Sequence, residues 1–284
     1  MTGTKTLRGA AAAGAAAVLL AGCGSPSERA GGGEGDEGVV TLRVGATPVP
    51  HAEILEFVDE RLAADAGLAV DVVEYTDYNQ PNAALAEGEL DANYYQTVPF
   101  LEEYLEGNPG TDLSYVEDVH LEAFGLYSES VTDLEDLPEG ARIAVPNDPS
   151  NMDRALRLLA ENGVVTLAED TRGQASESDI EGSPLNVSVT AVEAAQLPRS
   201  LQDVEAAVVN GNYALEADLP AAAHTLAREE TEDNPYANGL VVRAQDRDSP
   251  ELERLNELLH SEEVRDFMEE RWQGIVIPAG RASD

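Results

Sequence analysis

The stretch "VPNDPSNMDRALRLL", residues 145–159, runs from an apolar strand end through a polar turn into a helix. The change from apolar continuity to helical spacing inside fifteen residues is the mark of an α/β unit. The same alternation extends on both sides. Upstream, "ARIAVPND" (141–148) is a strand and "SNMDRALRLLAENG" (150–163) its helix; downstream, "NVSVTAVE" (186–193) is a strand and "LPRSLQD" (197–203) a helix start. "VEAAVVNGNYALEA" (204–217) carries a further strand into a turn. An earlier series has the same form: "VTLRVGA" (40–46), a helix over 50–67 closed by Gly67, "LAVDVVEY" (68–75), then a short helix, a glycine turn and a third strand over 82–95. Strand and helix alternating in this way predict an α/β layered fold with largely parallel sheets. Residues 169–184, rich in Ser, Gly, Glu and Asp, read as a surface loop. "NPYANGLVVRA" (234–244) is extended, and two amphipathic helices around "LERLNELL" and "EEVRDFMEERW" close the chain.

Two such series with late C-terminal elements predict two α/β lobes between which the chain crosses twice, near 120–128 and near 234–240. Sites for small ligands favour such interfaces. The chain has 284 residues, 43% of them hydrophobic and 25% charged, which is ample for a packed core. Its formal net charge of −38 excludes a basic face for phosphate, so nucleic acid is not an expected partner.

The N-terminus carries Lys5 and Arg8 ahead of "GAAAGAAAVLLAG", with no acidic residue before Glu28. This is the charged and apolar pattern of a secretory signal, too short to make a good spanning helix. Cys23, the only cysteine, follows in "LLAGC", which resembles a bacterial lipobox. The expectation is a signal peptide over residues 1–22 and lipidation of Cys23, palmitate among the acyl groups. A flexible tether then runs over 23–39. The protein is thus expected at the extracytoplasmic face of a cell membrane, held by its lipid.

Asn151 and Arg154 share one face of the predicted helix at its first turn. A helix N-terminus attracts anions, and a guanidinium beside it gives paired hydrogen bonds to a carboxylate. Against this stands the plain alternative of an arginine paired with Asp153 or Glu161 at the surface. Asp148 or Ser150 is the expected N-cap, and Ser150 with Asp153 fits a capping box. Aromatic residues are only 5% of the chain, yet Tyr75, Tyr78, Tyr94 and Tyr95 fall together. Adjacent residues of a strand point to opposite faces, so one of Tyr94 and Tyr95 is expected in the core and the other in a cleft.

Four stretches in order, "VGATPVPHAEILE" (44–56), "DYNQPNAALAEGELDANYYQ" (77–96), "VPNDPSNMDRALRLL" and "AAQLPRSL" (194–201), resemble the NlpA family of lipoproteins, the methionine-binding proteins of ABC importers. The resemblance runs from about residue 41 to 280. It implies a two-lobed periplasmic-binding-protein fold of type II-like form, with lobe 1 over 40–124 and 238–284 and lobe 2 over 125–237. It also implies a monomer that binds methionine, L or D, and passes it to a permease and ATPase complex, with no enzymatic activity and no cofactor. Carried over by motif, Asn151 and Arg154 resemble the grip on the ligand carboxylate. Asn210 and Asn238 resemble the amides completing that recognition; Tyr78, Tyr95 and Phe100 resemble an aromatic box around the side chain. Thr97 stands where many members carry histidine, Tyr94 where they carry Ala or Phe, and Ala123 where the "HLEP" crossing has proline. The Thr97 change leaves another small amino acid or a methionine-containing dipeptide as the alternative ligand.

The rival classes are an enzyme and a metal-binding or scaffold lipoprotein of the envelope. The four histidines are dispersed, with no H-E-x-x-H, no P-loop and no G-x-S-x-G. "HAE" (51–53) and "HLE" (120–122) supply metal-site pairs only if the fold brings them together, and no metal site is assigned on sequence grounds.

Overall fold

β1 (Val40–Ala46) buries Leu42, Val44 and Ala46 and exposes the residues before each of the first two, as a half-covered strand should. The computed structural model describes residues 38–169 and 173–280. The expected signal peptide and Cys23 lie outside the described residues. After β1 a helical run begins at Pro48; its regular part, α1 (Glu53–Val58), buries Ile54, Leu55 and Val58. It ends where Gly67 takes φ 70°, a conformation that costs glycine nothing.

β2 (Leu68–Glu74), α2 (Pro81–Glu87), β3 (Ala92–Thr97) and α3 (Val98–Gly107) follow, then the long β4 (Leu113–Glu122). The second series is β5 (Gly125–Ser128), β6 (Arg142–Pro146), α4 (Pro149–Glu161), the small hairpin β7 (Thr166–Leu167) and β8 (Ile180–Gly182), and β9 (Ser188–Val192). It continues with α5 (Leu197–Ser200), β10 (Ala206–Val209), α6 (Gly211–Glu216), α7 (Leu219–Ala222) and β11 (His224–Arg228). The chain closes with β12 (Asn238–Arg243), α8 (Pro250–Leu259), α9 (Glu262–Trp272) and β13 (Val276–Pro278).

Two main sheets result. The first has the order β13-β4-β12-β3-β1-β2 and the second β11-β5-β10-β6-β9. They are mixed, not largely parallel as the alternation predicted. β1 pairs in parallel with β2 and β3, and β6 with β9 and β10; the remaining pairs are antiparallel. The reason lies in the crossings. β4 leads out of the first sheet and β12 leads back in, so they lie side by side in opposite directions, with Asn238 opposite His120. β5 and β11, the matching pair in the second sheet, are antiparallel for the same reason. Both connections therefore leave the first sheet at one place.

Each sheet has its own core. In the first, Ile54, Leu55, Val58, Leu240, Leu255 and Met268 pack with Tyr94. In the second, Ile143, Val145, Leu156, Leu159 and Val208 cover one face, and Leu197, Val209 and Tyr213 the other. Complete burial of such side chains contributes roughly 1.5–3 kcal/mol each.

Candidate functional site

The first turn of α4 follows one of the two expected caps. Asp148 is the N-cap, its Oδ1 accepting from the backbone N–H of Asn151 at 2.9 Å and from Asn151 Nδ2 at 2.9 Å. The capping box of Ser150 with Asp153 does not form. The Ser150 N–H instead donates to Glu103 Oε2 of α3 at 2.8 Å, while Asp153 holds Arg157 and accepts from the Ala175 N–H. An acidic side chain from another element thus takes a helix-start donor.

Arg154 pairs with neither Asp153 nor Glu161. Its partner is Glu229, just past β11: Nε donates to Oε1 at 2.9 Å and Nη2 to Oε2 at 2.6 Å. Nη2 also donates to the Glu122 carbonyl at 2.9 Å, and the guanidinium lies 4.0 Å from the Phe124 ring centroid and 4.3 Å from that of Tyr236. The side chain is 4% exposed. A two-pronged ion pair between rings holds the guanidinium rigidly. Nη1 makes no hydrogen bond among the described residues.

A cavity with about 350 Å³ of atom-free space, part of it open to solvent, lies between the two sheets. Its walls include all eight ligand-site residues named from the sequence: Tyr78, Tyr95, Thr97 and Phe100 from the β2–α3 region, Asn151 and Arg154 from α4, Asn210 before α6, and Asn238 at the start of β12. Tyr95 faces the cavity, while Tyr94 is fully buried in the first core. Tyr75 packs elsewhere, against Gly45. The Tyr78, Tyr95 and Phe100 rings sit 5.6–5.9 Å apart, centroid to centroid. Burial pushes the Tyr78 and Tyr95 phenols well up, so both present neutral hydroxyls. Thr97 caps α3, its hydroxyl accepting from the Phe100 N–H at 3.4 Å.

Sequence reading missed five residues of the same wall: Gln96, Glu122, Phe124, Gly211 and Asn212. Gln96 closes a buried amide network with Asn82 and Asn93 that fixes the end of β3. Asn212 Oδ1 accepts from the Tyr78 hydroxyl at 2.5 Å, bridging the two sides of the cavity. Two buried atoms on this wall, Asn210 Oδ1 and Asn212 Nδ2, have no hydrogen-bond partner among the described residues. Orphaned polar atoms are costly when dry and so point to a polar ligand.

The "HAE" and "HLE" pairs do come together in part. His51, His120 and Glu122 converge, and they are the one group with metal-ligand proximity found among the described residues. Glu53 turns away to Arg271 at 3.0 Å. The cluster's hydrogen bonds are met by protein groups: His120 Nε2 meets Glu122 Oε1 at 2.6 Å, His51 Nδ1 the Thr47 hydroxyl at 2.7 Å, and His51 Nε2 Asn238 Oδ1 at 3.2 Å. The Tyr94 hydroxyl bonds His120 Nδ1. Burial lowers His51 to about 4 and His120 to about 3, so both rings are neutral near pH 7. Burial raises the Glu122 carboxyl, against the pull of His51 and Arg154.

Residues 42–280 match the NlpA lipoprotein family. The chain belongs to that family. NlpA lipoproteins bind substrates and are not enzymes. The methionine-binding lipoprotein MetQ of Bacillus subtilis strain 168 is 36% identical over 265 residues, 92% of this chain and 94% of that protein. The D-methionine-binding lipoprotein MetQ of Salmonella typhi is 31% identical over 250 residues, 87% of this chain and 92% of that protein. Among solved structures, a nutrient-binding protein from Burkholderia cenocepacia bound to methionine is 39% identical with a TM-score of 0.80, covering 84% of this chain and 99% of that one. The NlpA fold is thus the two-lobed binding-protein architecture. No helix of the described residues is long and apolar enough to cross a membrane.

Proposed function

We propose that this NlpA lipoprotein is the extracytoplasmic solute-binding subunit of an ABC importer, and that methionine occupies the cavity between the sheets. One observation carries the reading: a rigid cation, Arg154, and a cluster of three aromatic rings face the same cavity. The Arg154 guanidinium takes the ligand carboxylate through Nη1, the N–H groups of Ser150, Asn151 and Met152 at the start of α4 being already held by Glu103 and Asp148. Asn210 and Asn238 complete recognition of the backbone end. Tyr78, Tyr95 and Phe100 surround the side chain, where a polarizable sulfur gains roughly 0.3–1.5 kcal/mol per ring contact. Similarity to proteins named for methionine and for D-methionine supports the ligand class and leaves the enantiomer to measurement.

Residues 40–124 with 238–284 form one lobe in this reading and 125–237 the other. The adjacent strands β4 and β12 act as the hinge, and ligand bridging both lobes favours closure. Lipidation at Cys23, after removal of residues 1–22, keeps the protein on the outer face of the membrane beside its permease.

The test is to purify the chain from residue 24, unfold it, identify any released small molecule by mass spectrometry, then refold and titrate with L- and D-methionine. Release of methionine and tight rebinding support the assignment. Binding of a different amino acid or of a dipeptide instead would retain the transport role and move the specificity to the wall around Tyr95 and Thr97.

A further inference from the structure

Tyr78 lies in the bend after β2, where no helix or strand fixes its side chain. By chain it belongs to the first series. By packing it belongs to the second sheet, where it lies against the cluster that holds Leu197, Val209 and Tyr213. The Tyr213 ring stands 5.0 Å from it, centroid to centroid, nearer than Phe100 at 5.6 Å or Tyr95 at 5.8 Å. The Tyr78 hydroxyl donates across the cavity to Asn212 Oδ1 at 2.5 Å. A second tie runs the other way: the Tyr213 hydroxyl donates to the Thr76 carbonyl at 3.4 Å, two residues before Tyr78. The aromatic ring that the first series presents to the cavity is therefore held from the opposite side.

Asn212 is placed for this one contact. It is 2% exposed, and its Nδ2 has no partner among the described residues, so the side chain is tied to the fold through Oδ1 and the Tyr78 hydroxyl. Its backbone is anchored separately. The Asn212 N–H donates to the Glu122 carboxylate, and Gly211 passes so close to the end of β4 that a Cβ there would lie 2.5 Å from Glu122 Cβ. Glycine alone permits that approach. The start of α6 is thus fixed, and the amide it carries is an acceptor set in place before Tyr78 reaches it. Burial pushes the Tyr78 phenol well up, so it keeps the proton that it donates. Without Asn212 that hydroxyl would be a buried donor with nothing to bond, which is costly.

We infer that Asn212 is a positioning residue for recognition of the ligand side chain: from the far side of the cavity it holds Tyr78 against Tyr95 and Phe100, so that the aromatic box is complete only when the two sides are closed on each other. Tyr213 backs the same ring. This deepens the proposed function and rests on it. A side chain long enough to fill the box gains from Tyr78 being held; alanine, whose methyl group stops short of it, does not. Discrimination among amino acids is thereby tied to closure.

Wild type, Tyr78→Phe, Asn212→Ala and the double variant are titrated by calorimetry, with methionine directly and with alanine in competition. Asn212→Ala is expected to weaken methionine about 5- to 10-fold, as for loss of one buried hydrogen bond, and alanine less than about twofold. Tyr78→Phe keeps the ring and removes only the hydroxyl; it gives the same pattern and needs no change at Asn212 to fold. In the double variant methionine falls little further than in either single variant, because both remove the same bond. Equal losses for methionine and alanine in Asn212→Ala overturn the inference, since a merely structural role weakens every ligand alike. Additive losses in the double variant overturn it too, as does a Tyr78→Phe protein that discriminates as wild type does. If wild type prefers a different, larger amino acid, the methionine reading fails, while the same cycle with that amino acid against alanine still decides the role of Asn212. A wild type that takes no amino acid overturns both.

Discussion

The cavity has two walls of opposite character. The wall from the first series, Tyr78, Tyr95 and Phe100, is aromatic, and each of its residues lies within 23 positions of the others. The opposite wall, Asn151, Arg154 and Asn210, is polar and depends on distant partners: Glu229 lies 75 residues from Arg154, and Asn210 reaches Asn151 across 59. Tyr95 and Phe100 are held by their own strand and helix, while Tyr78, in the bend after β2, also reaches across to Asn212 and Tyr213. The polar wall needs charges aimed, and aiming requires hydrogen bonds that the local chain cannot supply. A binding site of this kind places adaptable contact on locally folded chain and rigid charge recognition where several segments meet.

That contrast can be broken at its strongest point first. Arg154→Ala should abolish methionine binding by calorimetry, a loss on the order of 2–5 kcal/mol for a buried charged partner. Near wild-type affinity in that variant would remove the polar wall from recognition altogether. Glu229→Gln sharpens the comparison. It leaves Arg154 buried without its counter-ion, so the ligand-free protein should lose about 3–5 kcal/mol of stability. The ligand carboxylate then partly replaces Glu229, so methionine should raise the melting temperature more in this variant than in wild type. An unchanged melting temperature without ligand would show that the ion pair does not hold the guanidinium.

Beside the crossing strands β4 and β12, His51 and His120 are neutral when folded and take up protons near their ordinary value when unfolded. The unfolded chain therefore binds more protons as pH falls from about 6.5 toward about 4. Stability held above that window is lost within it, by up to about 1.4 kcal/mol per pH unit per histidine. The Glu122 carboxyl, raised by burial, has the opposite sign, its contribution being lost as pH rises through its folded value. His120→Gln should accordingly flatten the fall in melting temperature between pH 6.5 and 4.5 relative to wild type; an identical slope would place the ring's titration elsewhere. The smallest effect belongs to the aromatic wall. Phe100→Ala should weaken methionine by about 1 kcal/mol through lost ring contact, with less effect on alanine as ligand. Equal losses for both amino acids would mean that this wall shapes the cleft without reading the side chain.

Much of the molecule was readable along the chain because its signals are local. The apolar alternation of Val40–Ala46 gives β1, the spacing of Leu156 and Leu159 gives α4, and Gly67 stops a helix at positive φ. The neighbouring tyrosines could be divided between core and cleft from strand geometry alone, and Tyr94 and Tyr95 are so divided. The capping box of Ser150 and Asp153 was misread for a related reason. Its pattern is local, but Glu103 and Arg157, from other positions, take the groups it needed. Glu229 gave no usable signal, since 55 acidic residues make any one of them inconspicuous, and Glu122 was marked only through its place in "HLE" (120–122).

By itself the sequence determined the α/β alternation, the identity of the family and the residue types offered to the cleft, because propensity, periodicity and motif order act over short stretches of chain. The tertiary structure alone decided the mixed direction of the sheets, the partner of Arg154 and the meeting of His51 and His120 at Glu122. Those follow from where β4 and β12 cross between the lobes, and the energy of a buried charge depends on whichever groups the fold brings within a few ångströms, however far apart they lie in the chain.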